Sequence, residues 1–233
     1  MMKKLILSLS AVMAAVMLCG YIHPTSYLLE QAAIQWNNRP ALAATGVITR
    51  FDPQDGLVRD TGSFRLDVSR DGAFKYRVEL DGGAEATLYG PDGQRRTNPA
   101  NIAASPRQVA MELFSRMGRS RELLSWLKSL GMESAKGAFD RSLGEVCYRF
   151  GNPDDAASPV LWLDKEGLWP VTLRLVREGR PVRLDFSRWR DPLCKTYLPR
   201  TIDISVDGRL VERISLERVD LFKAFDPAHF SKP

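Results

Sequence analysis

Histidine is nearly absent from this chain of 233 residues, which holds only His23 and His229. One lies beside the N-terminal leader and the other in the tail, so neither a Ser-His-Asp nor a Cys-His site is expected. Metal-ligand spacing is lacking too, with no CxxC, no HxxxH and no carboxylate array at loop spacing. Asp154 and Asp155 follow Asn152-Pro153 in a solvated loop, and Asp164 and Glu166 fall in a turn. Gly82-Gly83 and Gly90-Pro91-Asp92-Gly93 are turn glycines, because no helix start follows them in the register that a phosphate cradle needs. A non-enzymatic protein without cofactor or metal is therefore expected. Clustered positive charge is missing as well. The formal charge of +5 falls to +3 without Lys3 and Lys4, and single Arg residues are dispersed among acidic ones, Arg95-Arg96 being the densest pair. Nucleic-acid binding needs basic residues gathered on one face and is not expected. Single basic residues at a cavity mouth would still suit anionic lipid headgroups or acidic partners.

Cysteine is also scarce, with three in all. The first lies in the leader: Lys3-Lys4 precede an apolar run from Leu5 to Leu18, about 14 residues, a length that suits a signal-peptide core and is too short for a full membrane span. Residues 1–20, or as far as 26, are read as leader, and residues 27–233 as a single exported domain. Val16-Met17-Leu18-Cys19-Gly20 half resembles a lipobox, but bulky Leu18 stands where a small residue is usual. Three fates stay open for Cys19: a lipidated residue, a discarded leader residue, or part of an uncleaved anchor. Cys147 and Cys194 are candidates for one disulfide in an exported domain. Such a bridge would close a loop of about 46 residues and stabilise by roughly 3–4 kcal/mol. Two independent buried thiols are the alternative.

After the leader, Tyr27 to Trp36 reads as an amphipathic helix, with Leu29, Ala33 and Trp36 at helical spacing and Pro40 beyond its end. Period-two strands follow from Ala43 to Phe51, Gly62 to Ser69 and Phe74 to Leu80, and a short hairpin from Ala86 to Thr97. Between 98 and 131 the period changes to 3.6. Ser105-Pro106 opens a helix carrying Val109, Leu113 and Met117, and Ser120 opens another carrying Leu123, Leu124 and Leu127.

From Gly137 onward the chain returns to strands. Val160-Leu161-Trp162-Leu163 and Val171-Thr172-Leu173-Arg174-Leu175 flank the turn Asp164-Lys165-Glu166-Gly167, with Pro170 opening the second strand. Val171, Leu173 and Leu175 share one face by alternation. Pro181 to Phe186 and Leu198 to Val206 alternate likewise, and Asp207-Gly208 turns the chain into Arg209 to Leu216.

The hairpins LWLDKEGLWPVTLRL and YLPRTIDISVDGRLVERISLERVDL, with the terminal Phe225-Asp226-Pro227-Ala228-His229-Phe230, resemble the periplasmic lipoprotein-carrier superfamily. That superfamily comprises the lipoprotein-sorting proteins LolA and LolB and the RseB-type sensors of the same fold. Ten or eleven antiparallel strands must curl or split. The expected fold is therefore α+β and mostly antiparallel, an incomplete half β-barrel with about three helices over its concave face. The apolar phases nominate Phe64, Leu66, Phe74, Tyr76, Val78, Trp162, Leu173, Leu184, Phe186, Ile202 and Ile204 as the lining of that face. Alternation alone does not say which face is concave. The resemblance implies a periplasmic binder of lipoprotein acyl chains or free lipid, for carriage or reception toward the outer membrane, with an inner- or outer-membrane protein as partner. The alternative is an RseB-like sensor or interaction module, or a structural envelope lipoprotein, using the same fold without lipid transfer. A monomer is expected. The resemblance assigns a role to no single residue.

Overall fold

The computed structural model describes residues 23–90, 95–98, 105–132 and 137–233, so the leader with Cys19 and the Pro91-Asp92-Gly93 turn lie outside the described residues. The period-two runs form strands of one antiparallel sheet, and the period-3.6 segments form three helices against one of its faces. Helix α1 spans Thr25–Asn37 and leads into β1 (Ala41–Phe51), β2 (Val58–Val68), β3 (Phe74–Leu80), β4 (Gly83–Tyr89) and β5 (Arg95–Asn98). Helices α2 (Pro106–Arg116) and α3 (Ser120–Ser129) follow. The return set is β6 (Ala138–Ser142), β7 (Glu145–Phe150), β8 (Val160–Asp164), β9 (Pro170–Arg177), β10 (Arg180–Ser187), β11 (Thr201–Val206) and β12 (Arg209–Phe222).

The spatial order is β5-β4-β3-β2-β1-β12-β11-β10-β9-β8-β7-β6. Two meanders thus meet where the first strand pairs with the last, and β5 and β6 lie at opposite edges without pairing, which leaves the half-barrel open. Among the described residues there are twelve strands where ten or eleven are expected, because the short edge strands β5 and β6 both pair, β5 with β4 and β6 with β7. Strand β11 starts at Thr201 and not at Leu198, since Pro199 lacks the N–H that a ladder requires. Strand β12 runs on to Phe222, where it pairs with Ala41.

The junction between the two meanders depends on a glycine. The β1–β12 register shifts between Thr45 and Gly46, and a Cβ on Gly46 would fall on the Ser215 carbonyl oxygen of β12. Gly46→Ala is expected to cost about 1–3 kcal/mol by prising these strands apart. The urea midpoint should fall with little change in slope.

The helices come together at a second close approach. Asn37 Nδ2, at the end of α1, donates to the carbonyl of Gly118 between α2 and α3 at 2.8 Å. A side chain on Gly118 would collide with the Asn37 amide, so the turn brings the chain against α1 only because it carries none. Leu28, Leu29, Ala32 and Trp36 of α1, Val109, Leu113 and Phe114 of α2, and Leu123 and Leu127 of α3 all enter one apolar cluster with the sheet.

Candidate functional site

Directly opposed residues of an antiparallel pair share a face, so the registers trace the layer beneath the helices. One row runs Phe150, Leu161, Leu173, Leu184, Ile204 across five strands. A second runs Phe186, Ile202, Ile214, Ile48. Phe64, Leu66, Phe74, Tyr76, Val78, Leu173, Leu184, Phe186, Ile202 and Ile204 all belong to this layer, each no more than 2% exposed. The helices fill the concavity above them. Phe114 of α2 stacks on Trp36 with centroids 5.7 Å apart and meets Phe186 edge-on at 5.2 Å and Trp189 at 6.3 Å.

Trp162 does not join them. It packs on the opposite, outer face with Cys147, Val160 and Val171, and its Nε1 donates to Asp140 Oδ2 at 3.1 Å. The reason lies in the register. Trp162 opposes Thr172 but Leu163 opposes Pro170, so Val171 is the extra residue of a bulge and turns outward, away from Leu173 and Leu175. Trp162 lies outside because it opposes Thr172, whereas Leu161 and Leu163 hold the inner phase of β8. The row that Trp162 joins is otherwise polar: Arg149 and Thr172 oppose it on either side, Asp185, Asp203 and Arg213 follow, and Arg213 pairs with both oxygens of Asp203 at 2.6 and 2.8 Å.

The expected disulfide is corrected by the same geometry. Cys147 faces outward from β7 whereas Cys194, in the short 3-10 turn Pro192–Cys194, belongs to the inner cluster, and both are free buried thiols. The sheet stands between them. Burial raises both thiols to a pKa of about 11. Dithiothreitol is accordingly expected to leave the melting temperature unchanged. At pH 8 a thiol reagent should react with neither residue until urea unfolds the protein. Two thiol equivalents missing in the unfolded, unreduced protein would reinstate the bridge.

Within the apolar layer lies a buried charge cluster that periodicity did not single out. Arg107 of α2 is 1% exposed, donating through Nη1 to Glu212 Oε2 on β12 at 2.7 Å and through Nη2 to Glu85 Oε2 on β4 at 2.6 Å. Arg50 approaches the same Glu212 oxygen at 3.5 Å. Burial works to lower the Arg107 pKa, but Glu212, Tyr76 and Glu85 outweigh it and hold the group above its ordinary value. Glu212 is in phase with Ile214 and Leu216, and Glu85 with Thr87 and Tyr89. A carboxylate on an apolar phase was the signal available in the sequence.

Where α1 ends, a cavity of about 180 Å³ opens between Trp36, Arg39, Met117, Leu168, Trp169, Trp189 and Tyr197. Trp169 and Trp189 stack with centroids 5.8 Å apart, and Trp189 Nε1 donates to the Pro170 carbonyl at 2.9 Å. The terminal segment folds back onto the sheet. His229 Nε2 lies 2.9 Å from Asp67 Oδ2, and Lys75 Nζ donates to the carbonyls of His229 and Lys232 at 3.4 and 2.9 Å. No group of metal-ligating side chains occurs among the described residues, and no helix among them is long and apolar enough to cross a membrane.

An unclosed antiparallel half-barrel with an apolar concave face under three helices defines the class. Among solved structures, this fold is shared with an outer membrane lipoprotein-sorting protein domain from Vibrio parahaemolyticus. The identity is 12%, covering 88% of this chain and 95% of that one, with a TM-score of 0.52. It is shared equally with a LolA superfamily protein from Nitrosomonas europaea, at 12% identity, 91% and 99% coverage and a TM-score of 0.52. At these identities the likeness is one of fold. No protein-family model matches the chain, and no curated protein matches it in sequence.

Proposed function

We propose that the protein is a non-enzymatic, exported envelope protein that takes acyl chains of lipoproteins or lipids into the half-barrel, for carriage or reception toward the outer membrane. The observation that carries this reading is the inner layer itself: an open sheet whose concave face is apolar apart from the Arg107 cluster and is covered by helices, not by a second sheet. Helices joined to the sheet by side-chain contacts can lift away, whereas a closed ladder of strands cannot. Acyl carriage needs no bond to be made or broken. Each methylene buried contributes about 0.8 kcal/mol, and a chain enters by replacing the side chains that α1, α2 and α3 place over Leu173, Leu184 and Ile204. The Arg107 cluster fits this reading as the polar tie between α2 and the sheet, set where a lifted helix would expose it to water.

The test is native mass spectrometry with lipid extraction on protein purified from envelope fractions, paired with titration of a fluorescent fatty acid. A co-purified acyl lipid or lipoprotein, together with saturable fatty-acid binding, is the expected result. The mature N-terminal mass should also show whether Cys19 is acylated, as in a membrane-fixed acceptor, or removed, as in a shuttling carrier. Protein that is empty and binds no fatty acid would end the carrier reading and leave a protein-binding module on the same fold.

A further inference from the structure

Arg39 is a buried charge that the acyl-chain reading leaves unused. It follows α1, is 6% exposed, and makes one hydrogen bond, from Nη1 to the Trp36 carbonyl at 3.2 Å. Its guanidinium lies 3.8 Å from the centroid of the Trp36 ring, a favourable cation–π stack. Its Nε is buried with no partner. Asp71 shares a second cavity with it, but Asp71 Oδ1 is engaged by the Ser69 hydroxyl and the Ala73 amide. No carboxylate among the described residues forms an ion pair with Arg39.

The contrast with Arg107 is instructive. Both guanidiniums are more than nine-tenths buried, yet Arg107 has two carboxylates and is held above the ordinary arginine pKa. Arg39 has none, and burial alone brings it down to about 9. A buried cation without a counter-charge is costly to keep, and truncating it to an apolar residue would relieve that cost. The residue also faces the cavity of about 180 Å³ walled by Trp36, Trp169, Trp189 and Leu168. A space several times the volume of a water, carrying one desolvated cation and an indole lining, is matched to a small anion joined to an apolar body.

We propose that this pocket binds the phosphate or carboxylate headgroup of an amphiphile, the anion pairing with the Arg39 guanidinium and the first methylenes lying against the tryptophans. A guanidinium offers two parallel N–H donors to such a group, and Nε is one of them. The proposal rests on the carrier reading for the tail alone, because the anion is held whether or not the helices lift.

The purified full chain is titrated with dodecyl phosphate, with dodecyl maltoside as a neutral control of the same tail, and with inorganic phosphate, read by tryptophan fluorescence and calorimetry. Dodecyl phosphate is expected to bind wild type at least about tenfold more tightly than Arg39→Gln, with Arg39→Lys between them and dodecyl maltoside unaffected by either change. Inorganic phosphate that displaces dodecyl phosphate would identify the source as a free anion, whereas failure to displace it would identify a lipid headgroup, and either supports the site. Binding of dodecyl phosphate that depends on Arg39, without any binding of dodecyl maltoside, would sink the carrier reading and leave this one standing, whereas binding of inorganic phosphate without any alkyl phosphate would overturn both. Equal affinity of wild type and Arg39→Gln for dodecyl phosphate would overturn the proposal, as would no binding of either phosphate to wild type. Should Arg39→Gln fail to fold, the arginine Nε–H resonances of wild type decide: one buried resonance shifts on adding dodecyl phosphate, or the proposal fails.

Discussion

Arg107→Leu is expected to lower the unfolding free energy by about 3–5 kcal/mol, the cost of leaving a buried charge without its partner. Glu212, on the central strand β12 and 8% exposed, would keep only Arg50, whose Nε lies 3.5 Å away on a side chain 35% exposed. Glu85 is 30% exposed on its side chain and can turn to water, so the loss should arise mainly at Glu212. Replacing both members by leucine removes the charge with its counter-charge, and isosteric apolar pairs in such positions are often neutral. Arg107→Leu/Glu212→Leu is therefore expected to recover most of what Arg107→Leu loses. Urea denaturation of the two single variants and the double variant measures the coupling directly. A loss below about 1 kcal/mol for Arg107→Leu would show that the cluster is hydrated and ties α2 to nothing.

The same cluster shows where sequence reading succeeded and where it stopped. Alternation along Phe74-Lys75-Tyr76-Arg77-Val78 and along Val182 to Phe186 reports burial on one face, and both stretches lie in the inner layer as the period requires. The helices at Pro106 and Ser120 announce themselves by the change of period and by Ser105-Pro106. Phase fails at a bulge, because one extra residue leaves two neighbours on the same face. Val171 turns outward there beside Thr172, and in β8, buried on both faces, nothing in the sequence says that Leu161 and Leu163 face inward and Trp162 outward. The cysteine count suggested a bridge, but a count does not contain the sheet that separates Cys147 from Cys194. Arg107 and Arg39 were not singled out because each looks like any other dispersed arginine in one dimension. What distinguishes them is burial, and whether a carboxylate from a distant strand arrives, as Glu212 does 105 residues further along the chain.

The second large effect concerns Phe114, which is fully buried at the centre of the helical cover against Trp36, Phe186 and Trp189. Phe114→Ala is expected to destabilise by about 3–5 kcal/mol, since both transfer energy and close contacts are lost and the surroundings relax only in part. On the carrier reading the side chain is also a competitor of the cargo, occupying space over Phe186 that an acyl chain takes when the helices lift. Much of the loss then falls on the closed, empty state, and the variant should bind a fluorescent fatty acid at least about tenfold more tightly, or 1.4 kcal/mol, than wild type. On the alternative that the inner layer is only a packed core, the same substitution lowers stability and creates no acyl site. Measured in parallel, thermal unfolding and fatty-acid titration of Phe114→Ala therefore separate the two. Lower stability with higher affinity means that the helices and the ligand compete for one apolar surface. Lower stability with unchanged affinity means that the helices are part of the core and the half-barrel does not open.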